Sequence, residues 1–207
     1  MDKPTIVVGS KGFTEQVILG NMVALIMESN RFKVDRKIGL GGTVICHEAI
    51  VQGDINVYVE YTGTGLTAIL KKPVVKDPEE VYQIVKKEYE ERFKVSWLKP
   101  WGFNNTYCIV MRKDDAERLR VRKVSDLKPL AKDLIFGGTI EFLARPDGVP
   151  GLTRHYELKF KDQKGMDPGL VYKAIAEKQV DVISGFATDG RIPAFNLVVL
   201  EDDLKFF

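Results

Sequence analysis

Histidine and cysteine are scarce, two of each in 207 residues. His47 and His155 stand outside any HExxH pattern, and no GxSxG or Walker loop occurs. A nucleophile–base pair or a metal cluster has no motif to rest on, so an enzyme is not expected, nor a cofactor or a metal. Cys46 and Cys108 lie far apart without metal-ligand spacing and read as buried free thiols. Long apolar runs are lacking too: no stretch reaches the ~18 residues of a membrane span. No leader is legible, because Met1–Pro4 leads straight into the strand-like run Thr5–Gly9. That fits either a cytosolic protein or a mature secreted domain. One-sided charge is absent as well. Lysine plus arginine number 31 and aspartate plus glutamate 29, a net +2. No basic run is present to track phosphates, which excludes nucleic acid as the expected partner.

What is present is a 44% hydrophobic chain able to bury a core. Strand and helix signals alternate through it. Thr5–Gly9, Lys33–Ile38 and Ile55–Tyr61 read as strands. Helices are expected over Phe13–Glu28, from Thr43 through Val51, and over Thr64–Leu70. Thr14 and Thr43 offer caps, and Asp77-Pro78 opens a charged helix through Phe93. Val95–Leu98 reads as a short strand. The breakers of Pro100–Asn105 mark a crossing between lobes. A second series follows: strand Tyr107–Met111, a helix near Val124–Leu130, strand Leu134–Gly137, a helix from Gly151, and a strand near Lys159–Lys161. Helix Pro168–Lys178 and strands Val180–Ser184 and Asn196–Leu200 complete it. The order implies an α/β protein of two lobes: residues 1–103, residues 104–200, and a return toward the first lobe over 201–207.

Ligands of open α/β sheets bind beyond the carboxyl ends of strands. Gly39-Leu-Gly41-Gly42 lacks the third glycine of a dinucleotide loop. The other strand ends offer two chemistries. Lys11, Thr64 and Arg145 are cationic or hydroxylic; Tyr61, Tyr107 and Phe186 are aromatic. Together they suit a ligand with an anion at one end and a bulky, soft cation at the other. The plainer alternatives are that the tyrosines pack the sheet ends and that Lys11 and Arg145 are solvated. Trp97 and Trp101 read as core or inter-lobe packing, and Glu60 as a partner of the turn amides.

The runs VGSKGFTEQVILGNM, GLGGTVICHEAI, DINVYVEYTGTG, GFNNTY, EFLARPDGVPGL and VDVISGFATDGRI carry a resemblance. In that order, over essentially the whole chain, they resemble the glycine betaine/carnitine/choline-binding proteins of osmoprotectant ABC transporters. The resemblance implies the type II periplasmic-binding fold, with a ligand cleft between the lobes and hinge closure. It implies capture of a small quaternary ammonium solute (glycine betaine foremost; carnitine, proline betaine or choline otherwise) on the extracytoplasmic side, for an ABC permease in the membrane. Carried across, the aromatic cage falls on Tyr61, Tyr107 and Phe186, the last a position where the family often has tyrosine. The carboxylate clamp falls on Lys11, Thr64 and Arg145. Asn105 falls where the backbone nears the cation, with Ser10 and Thr106 weaker candidates. Gly63 and Gly65 are expected to admit ligand and backbone closely. The family continues past the position of Phe207 with a further aromatic and a segment that folds back on the first lobe. Exposed apolar surface and self-association are expected there. A ligand-sensing or permease-fused domain for a trimethylated amino acid such as ergothioneine is the alternative.

Overall fold

The computed structural model describes residues 3–207. Met1 and Asp2, where the reading of a missing leader begins, lie outside them. The chain divides into two compact units, the first ending at Phe103 and the second starting at Asn104.

In the first unit β1 (Thr5–Lys11) and β2 (Lys33–Gly41) pair in parallel, connected by α1 (Thr14–Ser29). The helix buries Leu19, Val23 and Ala24. Its N-cap is Phe13, and no side chain caps it; Thr14 is the first helical residue. α2 (Thr43–Gln52) likewise starts on Thr43, with Gly42 as N-cap, and stops at Gly53, whose φ of 81° suits glycine. The expected third strand is reduced to one parallel bridge, Val57 to Val8. Before that bridge the Asn56 side chain accepts the Val7 amide at 2.8 Å, taking a donor the ladder would use. α3 (Thr62–Thr64) runs into a π-helical stretch, Gly65–Ile69, closed by the Leu70 amide on the Gly65 carbonyl at 3.0 Å. α4 (Pro78–Phe93) opens as Asp77-Pro78 foretells: the Asp77 carboxylate accepts the Glu80 amide at 2.8 Å.

Residues 95–98 form no strand. The chain leaves α4 through Lys94 at φ 58°, and the Trp97 ring meets Tyr89 edge-on at 5.3 Å. Trp101 is 52% exposed and packs no core. Leu66, Leu70, Val81, Val85 and Tyr89 form one core between the π stretch and α4. Ile18, Met22, Leu25 and Ile26 make the outer face of α1 apolar and exposed. A helix apolar on both sides is the kind that another surface covers.

The second unit holds β3 (Tyr107–Arg112), α5 (Lys113–Leu119), β4 (Ile135–Thr139), α6 (Ile140–Ala144) and α7 (Val149–His155). β5 (Asp162–Met166), α8 (Pro168–Ala176), β6 (Val182–Phe186), α9 (Arg191–Ala194) and β7 (Leu197–Val199) follow. The sheet order is β5-β4-β6-β3-β7; β3 runs antiparallel to both neighbours, whereas β4 is parallel to β5 and β6. Successive residues of β3 point to opposite faces. Ile109 and Met111 enter a core with Phe136, Phe142 and Leu152, while Cys108 and Val110 enter another with Tyr172, Ile175 and Ile183.

The helix expected near Val124–Leu130 is a 3-10 turn, Val124–Leu127. The strand expected near Lys159–Lys161 lies later, as the polar edge strand β5, which offers no apolar run to read. Residues 201–207 pack on the second unit. Asp202 accepts the Tyr156 hydroxyl and the amides of Phe206 (3.0 Å) and Phe207 (2.9 Å), and Asp203 accepts the Ser125 hydroxyl at 2.6 Å. Both cysteines are buried and unbridged. Burial pushes the Cys108 thiol up to about 12, with the charge of Asp189 adding to it.

Candidate functional site

In the first unit Lys11 ends β1, and Tyr61 is the N-cap of α3. Lys11 is not solvated. Its ammonium bonds the Glu60 carboxylate at 2.5 Å, and both side chains are 5% exposed. That ammonium lies 4.9 Å from the centre of the Tyr61 ring and 5.8 Å from that of Phe13. Phe13 and Tyr61 stack nearly parallel, 6.3 Å apart at 20°. The Tyr61 hydroxyl donates to Glu15, and its amide donates to Glu60 at 2.7 Å. Glu60 is thus a partner of the turn amide, and of Lys11 besides. Thr64 sits half-buried at the end of the same helical turn.

Ser10 is buried and ties the strand ends together: its hydroxyl accepts the Gly39 amide at 3.0 Å and donates to the Lys11 carbonyl at 3.1 Å. Gly65 has a packing reason. A Cβ there would stand 2.8 Å from the Trp97 ring, whereas one at Gly63 would meet nothing within 4 Å.

In the second unit Tyr107 and Phe186 are register partners across β3 and β6, with rings 5.1 Å apart at 33°. Phe142 lies behind Tyr107 at 4.5 Å, and Phe207 borders it at 6.3 Å. Asn105 and Thr106 lead into β3, and the Thr106 carbonyl accepts the Ala187 amide at 3.0 Å. The Arg145 guanidinium is centred 5.8 Å from the Tyr107 ring. Asp147 grips it with both oxygens, at 2.9 Å from Nε and 2.6 Å from Nη2. Burial works against the charge of Arg145, but the Asp147 hydrogen bonds together with the charges of Tyr107, Asp147 and Glu141 more than offset it and raise its pKa above the ordinary value. The turn that aims Arg145 depends on glycine: a Cβ on Gly148 would be 2.0 Å from the Phe142 carbonyl oxygen.

The fold therefore assembles two sets. Lys11 and Tyr61 meet in one unit, and Tyr107, Phe186 and Arg145 in the other. Sequence reasoning passed over Phe13, Glu15, Phe142, Asp147 and Phe207. Phe13 and Glu15 stand inside the SKGFTEQ run, and Asp147 lies two residues from Arg145 in ARPDG. For Phe13, Glu15, Phe142 and Asp147 the signal was proximity in sequence to a chosen residue; Phe207 had none. Among the described residues no group of three or more potential metal ligands occurs.

The likeness to solved structures places this mixed α/β chain in the type II periplasmic-binding class of solute-binding proteins. The crystal structure of a glycine betaine/carnitine/choline ABC transporter superposes with a TM-score of 0.73 at 33% identity, over 99% of this chain and 76% of that one. Residues 4–207 match the family described as the substrate binding domain of the ABC-type glycine betaine transport system, and the chain belongs to that family. The carnitine transport binding protein OpuCC of Listeria monocytogenes is 38% identical over 99% of this chain and 68% of its own length. The ergothioneine transport permease/ergothioneine binding protein EgtU of Helicobacter pylori is 35% identical over 100% of this chain and 37% of its own. Binding proteins of this family serve transport and deliver ligand to a membrane permease. Among the described residues no helix is long and apolar enough to cross a membrane.

Proposed function

We propose that the chain captures a small zwitterionic quaternary ammonium solute, glycine betaine or carnitine, on the extracytoplasmic side and presents it to an ABC permease. The observation that carries this reading is the second unit's arrangement, in which paired Tyr107 and Phe186 rings lie beside the Arg145 guanidinium. Ring faces attract a methylated ammonium, at about 0.5–2 kcal/mol per desolvated contact. A guanidinium held flat suits a carboxylate. We assign ligand contacts to Tyr61 and Thr64 in the first unit and to Asn105, ahead of Tyr107, in the second as well. The exposed apolar face of α1 is assigned to self-association.

A second reading is favoured by the likeness to EgtU, which spans the whole chain: a permease-linked domain for ergothioneine, a trimethylated amino acid. Calorimetric titration with glycine betaine, carnitine, choline and ergothioneine in parallel separates the readings. Saturable heat with a betaine or carnitine supports the first, and ergothioneine alone supports the second. No heat with any, from folded protein, overturns both.

A further inference from the structure

We propose that Tyr172, Asp189 and Arg191 form a positioning unit that fixes the Phe186 ring, a role that rests on the reading of the second unit's rings above. The ATDGR run after Phe186 holds the last two, and α8 supplies the first. The register of β4 on β6 ends at Ile183. The Phe186 amide lies beyond that ladder, and it donates to the Tyr172 hydroxyl at 3.0 Å. The Phe186 carbonyl in turn accepts the Asp189 amide at 3.0 Å. Phe186 is thus held at both ends of its backbone, by one residue of α8 and one of the loop. Gly185 makes the approach possible: a Cβ there would stand 2.9 Å from the Tyr172 hydroxyl oxygen.

The two holds are joined underneath. Tyr172 is 2% exposed, and the Asp189 side chain 8%. The Asp189 carboxylate accepts the Arg191 amide at 2.9 Å, its Nε at 3.0 Å and its Nη2 at 2.7 Å. Burial works against the charge of Asp189, but these bonds, the charge of Arg191 and a hydrogen bond from Tyr172 keep its pKa below the ordinary value. The Arg191 guanidinium is centred 4.2 Å from the centre of the Tyr172 ring, and its Nη1 lies 3.5 Å from the Pro168 carbonyl. The three side chains therefore brace one another and the start of α8. A backbone fixed at both ends leaves the Phe186 ring few rotamers, and the one adopted sets it 5.1 Å from Tyr107. A ring placed before a methylated ammonium arrives avoids an ordering cost on binding. Buried as they are, Tyr172 and Asp189 act on a solute through that ring.

The test is a double-mutant cycle read by calorimetry with glycine betaine, or with whichever of carnitine, choline and ergothioneine binds wild type. Tyr172→Phe removes one hydroxyl and keeps the buried ring. It is expected to weaken binding about fivefold in the wild-type background and by less than about twofold in Phe186→Leu. No loss in the first background, or about twofold or more in the second, overturns the proposal. Arg191→Gln, at a partly exposed position, runs the same cycle by the same criteria if Tyr172→Phe does not fold. Amide hydrogen exchange without solute is the second arm. Tyr172→Phe should speed exchange at Phe186 about tenfold and leave Val110 and Ile183, partners within the β3–β6 ladder, unchanged. Equal acceleration at all three, or none at Phe186, overturns the hold on its backbone. Wild type that binds none of the four solutes overturns the reading of the site, while the exchange arm still decides the role of Tyr172.

Discussion

Tyr107 and Phe186 face one another across β3 and β6, and the Arg145 guanidinium lies 5.8 Å from the centre of the Tyr107 ring. A ring in that place serves a methylated ammonium through its face, not its hydroxyl. Tyr107→Phe is therefore expected to bind nearly as wild type. Tyr107→Leu, which keeps bulk against Phe142 but loses the π-face, should lose ~0.5–2 kcal/mol, up to about thirtyfold in Kd. Calorimetry with the preferred quaternary ammonium measures it. Equal losses in both variants would assign the residue's role to its hydroxyl.

Arg145 separates ligands by their anionic end. Arg145→Ala is expected to weaken glycine betaine by about 2 kcal/mol, roughly thirtyfold, and choline far less. Asp147→Asn, which loosens the two-point hold on the guanidinium, should fall between wild type and Arg145→Ala for glycine betaine. Parallel titrations read both. A loss that is the same for the two ligands would remove Arg145 from the carboxylate's site.

Lys11 and Phe186 were legible because an apolar run followed by a polar turn is a local pattern and they end β1 and β6, whereas Tyr107 opens β3, Tyr61 precedes α3 and Arg145 follows α6. What stayed hidden was non-local. The pairing of Lys11 with Glu60 joins residues 49 apart, and Tyr61 with Glu15 residues 46 apart; nothing in either neighbourhood announces them. At the start of the expected third strand the Asn56 side chain takes a ladder donor, a competition that periodicity does not weigh. β5 escaped because an edge strand needs no apolar face. The π stretch after Thr64 lay within a segment read simply as helix, since apolar spacing does not separate the two over one turn.

His47 gives the first unit an acid sensitivity. It is buried, its Nδ1 lacks a hydrogen-bond partner, and the Tyr89 and Phe93 rings stand edge-on to it at 5.5 and 4.7 Å. Burial lowers its pKa, against an opposing pull from Glu48 and Glu60, with Arg92 adding to the decrease. A histidine depressed in the folded state takes up its proton more readily when unfolded. Its contribution is complete above the unfolded pKa of ~6.5 and is lost as pH falls from there through the folded value. Tm is expected to decline between about pH 7 and pH 5, and His47→Phe to flatten that limb. An unchanged slope in the variant would place the acid sensitivity elsewhere.

The outer face of α1 sets the last expectation. Ile18, Met22, Leu25 and Ile26 recur at helical spacing and are all exposed, while Leu19, Val23 and Ala24 fill the inner face. Burying the exposed half of four such side chains against a second surface contributes on the order of 0.8–1.5 kcal/mol each, before the cost of association. The chain should therefore self-associate as its concentration rises, and Met22→Glu should shift it toward monomer without lowering Tm, because Met22 supports no core of its own unit. Sedimentation velocity over a concentration series checks both. A monomer at every concentration would show that this face finds no partner in a second copy. Association undiminished by Met22→Glu would move the contact off α1.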